Sequence, residues 1–239
     1  MRMGWEELTF VHWAYDPAAV QRLLPPGLTV QLFEDRAWVS LVPFTMRVRF
    51  PVVGEVPWLS VFAETNVRTY VTAADGTEGI WFFSLDAARL AAVTAARVGY
   101  RLPYMWSRMS VDVDGGGAPG STATYDCVRR FPGPRGATSG VTVRVGAALD
   151  DGLVERDHFL SARWRLYSQM FGTGWGARAH HLRWPLHTAE LLRYDDQLIP
   201  AAGLPAPTGD PVVQYSPGVD VSVSIPRRTR AVALRPSVG

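Results

Sequence analysis

From Phe62 to Val71 the chain alternates. Glu64, Asn66, Arg68 and Tyr70 fall on one face of a predicted strand, with Val67, Val71 and small residues on the other. Similar patterning predicts strands over Leu8–Tyr15, Leu28–Phe33, Ala37–Met46, Gly79–Leu85, Met105–Val113, Ala123–Phe131, Gly140–Ala147, Ala177–Trp184 and Val219–Ile225. In the last of these, Val219, Val221, Val223 and Ile225 face one way. Asp16 caps a short helix whose first turn takes Pro17, with Val20, Leu23 and Leu24 as its apolar side; Pro25-Pro26-Gly27 ends it. A second, alanine-rich helix is expected from Asp86 or Ala87 to about Val98, with Asp86 as cap and Gly99 as stop. Leu153–Phe171 fits either helix or strand, and Arg163, Arg165 and Tyr167 alternate within it. The end, from Pro226 to Gly239, is expected to fray. The pattern is that of a mainly antiparallel α+β protein with few helices, in one domain spanning residues 1–239.

Hairpin register decides which side chains share the polar face of the Glu64 strand. A two-residue turn at Asp75-Gly76 sets Tyr70 opposite Trp81 and Arg68 opposite Phe83, an aromatic wall around the polar row. A one-residue slip instead brings Ser84 and Asp86 onto that face. The sequence leaves both open.

Composition narrows the chemistry. The 239 residues are 47% hydrophobic and 11% aromatic, ample for a core. A net charge of +2 and scattered arginines give no stripe for nucleic acid. No apolar run reaches membrane-span length. One cysteine, Cys127, cannot form an internal disulfide, and with no basic-then-apolar leader at Met1 a reducing cytoplasm is the expected location. All 24 basic side chains are arginine. Without lysine, no side chain can form an imine with a carbonyl, anchor pyridoxal phosphate or serve a Walker-type loop.

Other motifs are weaker. His180, His181 and His187 lack acidic or cysteine partners at ligand spacing, so no metal is expected. Gly172, Gly174 and Gly176 have no strand–loop–helix context for phosphate binding.

The segments HWAYDPAAVQRLLPPGL (His12–Leu28), AWVSLVPFTM (Ala37–Met46), ETNVRTYV (Glu64–Val71), GIWFFSLDA (Gly79–Ala87), YRLPY (Tyr100–Tyr104) and HHLRWPL (His180–Leu186) resemble the YqjF/DUF2071 family, which is similar in turn to acetoacetate decarboxylase. The resemblance spans about His12 to Ile225. It implies a sheet curled into a partly closed barrel or cone around a mostly apolar cavity. In the decarboxylases a lysine after a Tyr-Pro step forms an imine with a keto acid, helped by glutamates and an arginine. Here that stretch reads Tyr100-Arg101-Leu102-Pro103, without the nucleophile. One helper glutamate matches Glu64; another falls near Ala88 or Arg89 and is lost.

What remains is acid–base and electrostatic chemistry on a small molecule without a cofactor. Arg68 or Arg101 would hold a carboxylate or enolate oxygen. Glu64, desolvated by Trp81 and its neighbours, would carry a proton, and Tyr70, Tyr100 or Tyr104 would donate to an oxyanion. Trp81, Phe83, Tyr100, Tyr104, Arg165 and His181 are the expected substrate contacts. The expected partner is a β-dicarbonyl or polyketide-like compound, with dehydration, conjugate addition, ring closure or non-covalent decarboxylation as candidate reactions. A non-catalytic binder of an apolar carboxylic acid or polyketide is the alternative, and self-association is left open.

Overall fold

β-branched and aromatic residues at alternate positions build a sheet whose edges meet. The computed structural model describes residues 2–49, 54–90, 93–94, 102–149, 152–170, 173–229 and 232. Its strands are β1 (Arg2–Tyr15), β2 (Leu28–Val30), β3 (Leu32–Phe33), β4 (Arg36–Arg49), β5 (Val61–Ala73), β6 (Glu78–Ala87), β7 (Tyr104–Val113), β8 (Thr122–Phe131), β9 (Thr138–Ala148), β10 (Arg165–Met170), β11 (Thr173–His180), β12 (His187–Asp196), β13 (Val212–Val223) and β14 (Arg227–Arg228). Among the described residues, short helices accompany them, α1 (Pro17–Gln21), α2 (Glu155–Ser161) and α3 (Leu198–Ala201), with a 3-10 turn at Asp114–Gly117. The expected α+β class, with a mainly antiparallel sheet curled on itself, is what the molecule shows.

The sheet closes twice. One circuit runs β6-β7-β8-β9-β12-β13-β1-β4-β5 and returns to β6; the other leaves β6 through β10 and β11 and rejoins at β13. The two rings share β13, β1, β4, β5 and β6, so each shared strand sends alternate side chains into different interiors. Val11, Leu41, Val67 and Val71 enter one core with Val141 and Val143. Phe10, Val42, Phe44 and Phe82 enter the other with Leu166 and Trp184. It is a ring of strands rather than a regular barrel.

Local signals held where they were short-range. Asp16 accepts the Ala18 amide and Pro17 opens α1. Glu34 and Asp35, both at positive φ (51° and 57°), make the tight β3–β4 turn. Longer-range expectations changed. β6 continues through Ala87, so Asp86 is a strand residue and caps no helix; its carboxylate instead receives Arg129 from β8. Of the alanine-rich helix, Leu90, Val93 and Thr94 are helical, while residues 91–92 and 95–101 lie outside the described residues. Leu153–Phe171 divides into α2 and β10, separated by Ala162, Arg163 and Trp164. β12 was not foreseen. Past Pro226 the chain forms β14 against β11, where fraying was expected; residues 230–231 and 233–239 lie outside the described set.

Candidate functional site

The β5–β6 hairpin carries the polar row, and its loop sets the register. Ala73 N donates to Thr77 O, Gly76 N donates to Ala73 O, and Gly76 has φ +78°. This is a three-residue loop with its last residue left-handed, one residue longer than the two-residue turn. Tyr70 therefore pairs with Ile80 and Arg68 with Phe82. A bulge between Val67 and Arg68 then absorbs Phe83, so that Asn66 meets Leu85 and Glu64 meets Ala87. Neither sequence-level register describes the whole hairpin. Trp81 and Phe83 turn away from Glu64 and pack on the other core. Ile80, Phe82 and Leu85 take the places foreseen for them. Ser84 and Asp86 face the other interior, where Arg129 donates to both Asp86 oxygens at 2.8 and 2.6 Å and to Ser84 at 3.2 Å.

Inside the second ring lies a cavity of about 280 Å³. Its walls are mostly apolar: Leu8, Val42 and Phe44 from β1 and β4, Phe62 from β5, Phe82 from β6, Leu166 from β10. Among these project Glu64, Asn66 and Arg68 from β5, Tyr104 from β7, and Arg163 and His181 from the segments flanking β10 and β11.

Glu64 is 2% exposed. Tyr104 donates a hydrogen bond to its Oε2 at 3.0 Å. Burial pushes its pKa up to about 8; the Tyr104 bond opposes the rise, and the Asp86 charge behind the strand adds to it. Among the described residues no cation forms a salt bridge with Glu64.

Arg68 sits with its guanidinium carbon 5.2 Å from the Phe10 ring centre and 6.0 Å from that of Tyr70. Arg163 lies 5.3 Å from Tyr70 and 4.8 Å from Phe159. Two cations thus share the faces of three aromatic rings, an arrangement that offsets part of their desolvation. Burial, with Arg68 close by, lowers the Arg163 pKa.

Tyr70 stands behind the arginines, outside the cavity lining. Its hydroxyl donates to Leu160 O at 2.7 Å and meets Ser40 Oγ at 2.8 Å and His12 Nδ1 at 3.3 Å. His12 is held well below the usual imidazole range by burial and by Arg68 and Arg156, so this layer adds no positive charge at neutral pH. The phenol foreseen as an oxyanion donor is already engaged and holds the floor of the site.

The remaining sequence candidates divide plainly. Tyr104 and His181 line the cavity; the His181 ring lies 5.3 Å from Trp184, with Nδ1 against Leu182 O and Nε2 against Arg163 O. Arg165 pairs across β11 with Arg178 and does not line the cavity; Arg163, two residues earlier, does. Tyr100 and Arg101 lie outside the described residues. Among the described residues no three His, Cys, Asp or Glu side chains gather to hold a metal. Cys127 is buried on β8 with its thiol pKa raised, as suits an inert packing residue.

A family model for DUF2071, an uncharacterized conserved protein, matches residues 2–220. The chain belongs to the DUF2071 family. The uncharacterized protein YqjF of Bacillus subtilis is 31% identical over 223 residues, covering 92% of this chain and 89% of that one. Solved structures share the fold at low identity. The enduracididine biosynthesis enzyme MppR, with HEPES buffer bound, superposes with a TM-score of 0.68 at 15% identity, over 97% of this chain and 88% of its own. An acetoacetate decarboxylase-like enzyme from Sphingomonas wittichii gives 0.64 at 16%, over 98% and 94%. Acetoacetate decarboxylase from Legionella pneumophila gives 0.58 at 12%, over 96% and 87%. These place this DUF2071 chain in the acetoacetate decarboxylase-like fold.

Proposed function

We propose that this DUF2071 chain is a cofactor-free enzyme that moves protons on a β-dicarbonyl or polyketide-like acid inside the cavity, without imine chemistry. Glu64 carries the reading: a carboxyl group buried among apolar walls, bonded to one phenol and forming no salt bridge among the described residues. With a pKa near 8, both its forms are populated around neutral pH. The ionised form takes a proton from carbon next to a carbonyl; the enolate oxygen then rests on a guanidinium, for which Arg68 and Arg163 are the candidates. The protonated form returns the proton to the product. Dehydration, conjugate addition, ring closure and non-covalent decarboxylation all pass through such an enol. The lack of lysine removes the imine route from side chains whatever the substrate. MppR has been solved in complex with pyruvate, a small carbonyl acid, which supports a related ligand class for the shared fold.

The test is Glu64→Gln, which keeps size and hydrogen bonding and removes the titrating proton. Turnover of a β-dicarbonyl substrate falls by a factor of about 10² to 10⁴ while affinity changes little. Equal loss of both, or no turnover by the parent protein, assigns the cavity to a non-catalytic binder of an apolar acid.

A further inference from the structure

Arg68 and Arg163 are 5% and 9% exposed, and neither forms a salt bridge among the described residues. The Nε of each is buried with no hydrogen-bond partner among the described residues. Arg163 spends Nη1 on Ala162 O and Nη2 on Gln31 Oε1, both neutral acceptors. Glu78 of β6 acts on Arg163 from the exposed surface without a salt bridge to it, and the other acids nearby are engaged or largely uncharged. Asp157 of α2 accepts Gln214 Nε2 and the Val154 amide and does not line the cavity. Glu64, its pKa raised by burial, is mostly protonated at neutral pH. Two buried guanidinium groups with no salt-bridge partner among the described residues are costly, and an anion entering the cavity supplies what they lack.

The arginines also lie at one end. Both stack on Tyr70, which is sealed behind by His12, Ser40 and α2. From there the lining continues along β4 through Val42, Phe44, Met46 and Val48, a span of about 20 Å at the usual strand rise. Beyond Glu64 every described lining residue of β4 and β5 is apolar. Leu59, Leu102 and Pro226, which are half-exposed, mark the far end.

We propose that the cavity takes an extended, medium-chain carboxylic acid head-down, with its carboxylate on Arg68 and Arg163 and its apolar tail running toward Leu59, Leu102 and Pro226. Glu64 then stands beside the chain between head and tail, next to the carbon from which it takes the proton. The proposal rests on the preceding reading in taking this cavity as the substrate site, and it names the substrate's shape: one anionic end, one long apolar end.

Calorimetric titration of the parent protein with butanoate, hexanoate, octanoate and decanoate tests it. Affinity rises about fourfold per added methylene. At equal length, octanoate binds at least tenfold more tightly than 1-octanol, and octylamine binds more weakly than either. Arg68→Met and Arg163→Met each lower octanoate affinity at least tenfold and leave 1-octanol unchanged. The acid–alcohol–amine comparison needs no variant, so it stands even where a variant fails to fold. Affinity independent of chain length, or amine binding equal to acid binding, overturns the proposal. Saturated acids cannot react, and Glu64→Gln retains their binding. Loss of this binding profile with Glu64-dependent turnover intact therefore sinks the ligand assignment alone. The profile without any Glu64-dependent turnover sinks the enzymatic reading alone.

Discussion

Moving a carboxylate from water into an apolar enclosure costs several kcal/mol, and at Glu64 the described compensation is one phenol. Its raised pKa is therefore a property of place. Asp86 makes the contrast: it is equally buried, yet Arg129 binds it through two nitrogens and Ser107 donates to it at 2.7 Å. Removing one partner leaves a buried charge alone, so Arg129→Met should lower unfolding stability by about 3–5 kcal/mol. The double variant Asp86→Leu/Arg129→Met should recover most of that loss in urea melts. A single variant as stable as the parent would mean the pair is dispensable. Sequence reasoning found Glu64, Asn66 and Arg68 on one face because a period of two is a local property of the strand. It placed Tyr70 on the same face too, but the alternation says nothing of depth, and the hydroxyl turned out to be spent on Ser40 and Leu160. Arg163 was missed as a site residue because it sits in a connection with no periodicity. Its signal was only the alternation with Arg165, which pointed to the wrong member of the pair.

At the scale of the element, one residue of loop length and one bulge decide the site. The Asp75-Gly76 signal correctly marked a hairpin, but two- and three-residue loops share it; they differ in whether Gly76 alone takes the left-handed conformation. Aromatic residues 81 to 83 are contiguous, so a one-residue change in register exchanges which of them faces Glu64. Deleting Thr77, with the three-residue loop kept, should pair Tyr70 with Trp81 and Arg68 with Phe83, moving Trp81 toward the cavity face and Phe82 away from it, with a loss of cooperative melting or of ligand binding. A fully folded, active deletion variant would contradict this reading of the hairpin. β12 escaped notice because adjacent Leu191 and Leu192 break its alternation where the pairing with β9 shifts. Backbone closeness gives a second test in the shared strands. Gly218 has φ +127°, and a Cβ there would lie 2.3 Å from the Trp5 carbonyl oxygen. Gly218→Ala should lower the melting temperature by several degrees, whereas Gly152→Ala, where a Cβ meets nothing within 4 Å, should leave it nearly unchanged.

For the whole molecule, two rings sharing five strands divide the labour. One interior is packed with aliphatic side chains, and the other holds the cavity. That closure rests on pairings far apart in sequence, β11 with β13, β1 with β13 and β10 with β6, which local patterns cannot announce; the family resemblance could. Stability should carry the mark of the buried acid. Glu64 is raised from 4.5 unfolded to about 8 folded, so the folded state binds the extra proton between those values. Its contribution is whole below pH 4.5 and is lost as pH rises toward 8. Glu64→Gln should therefore melt like the parent near pH 4.5 and be more stable at pH 8, by on the order of 4 kcal/mol. A constant difference across that range would place the carboxyl in water. The most direct test follows the carboxyl carbon itself. In ¹³C NMR of glutamate-labelled protein, the resonance that disappears in Glu64→Gln should titrate with a midpoint near pH 8; a midpoint near 4.5 would contradict the account of a proton held in a dry cavity.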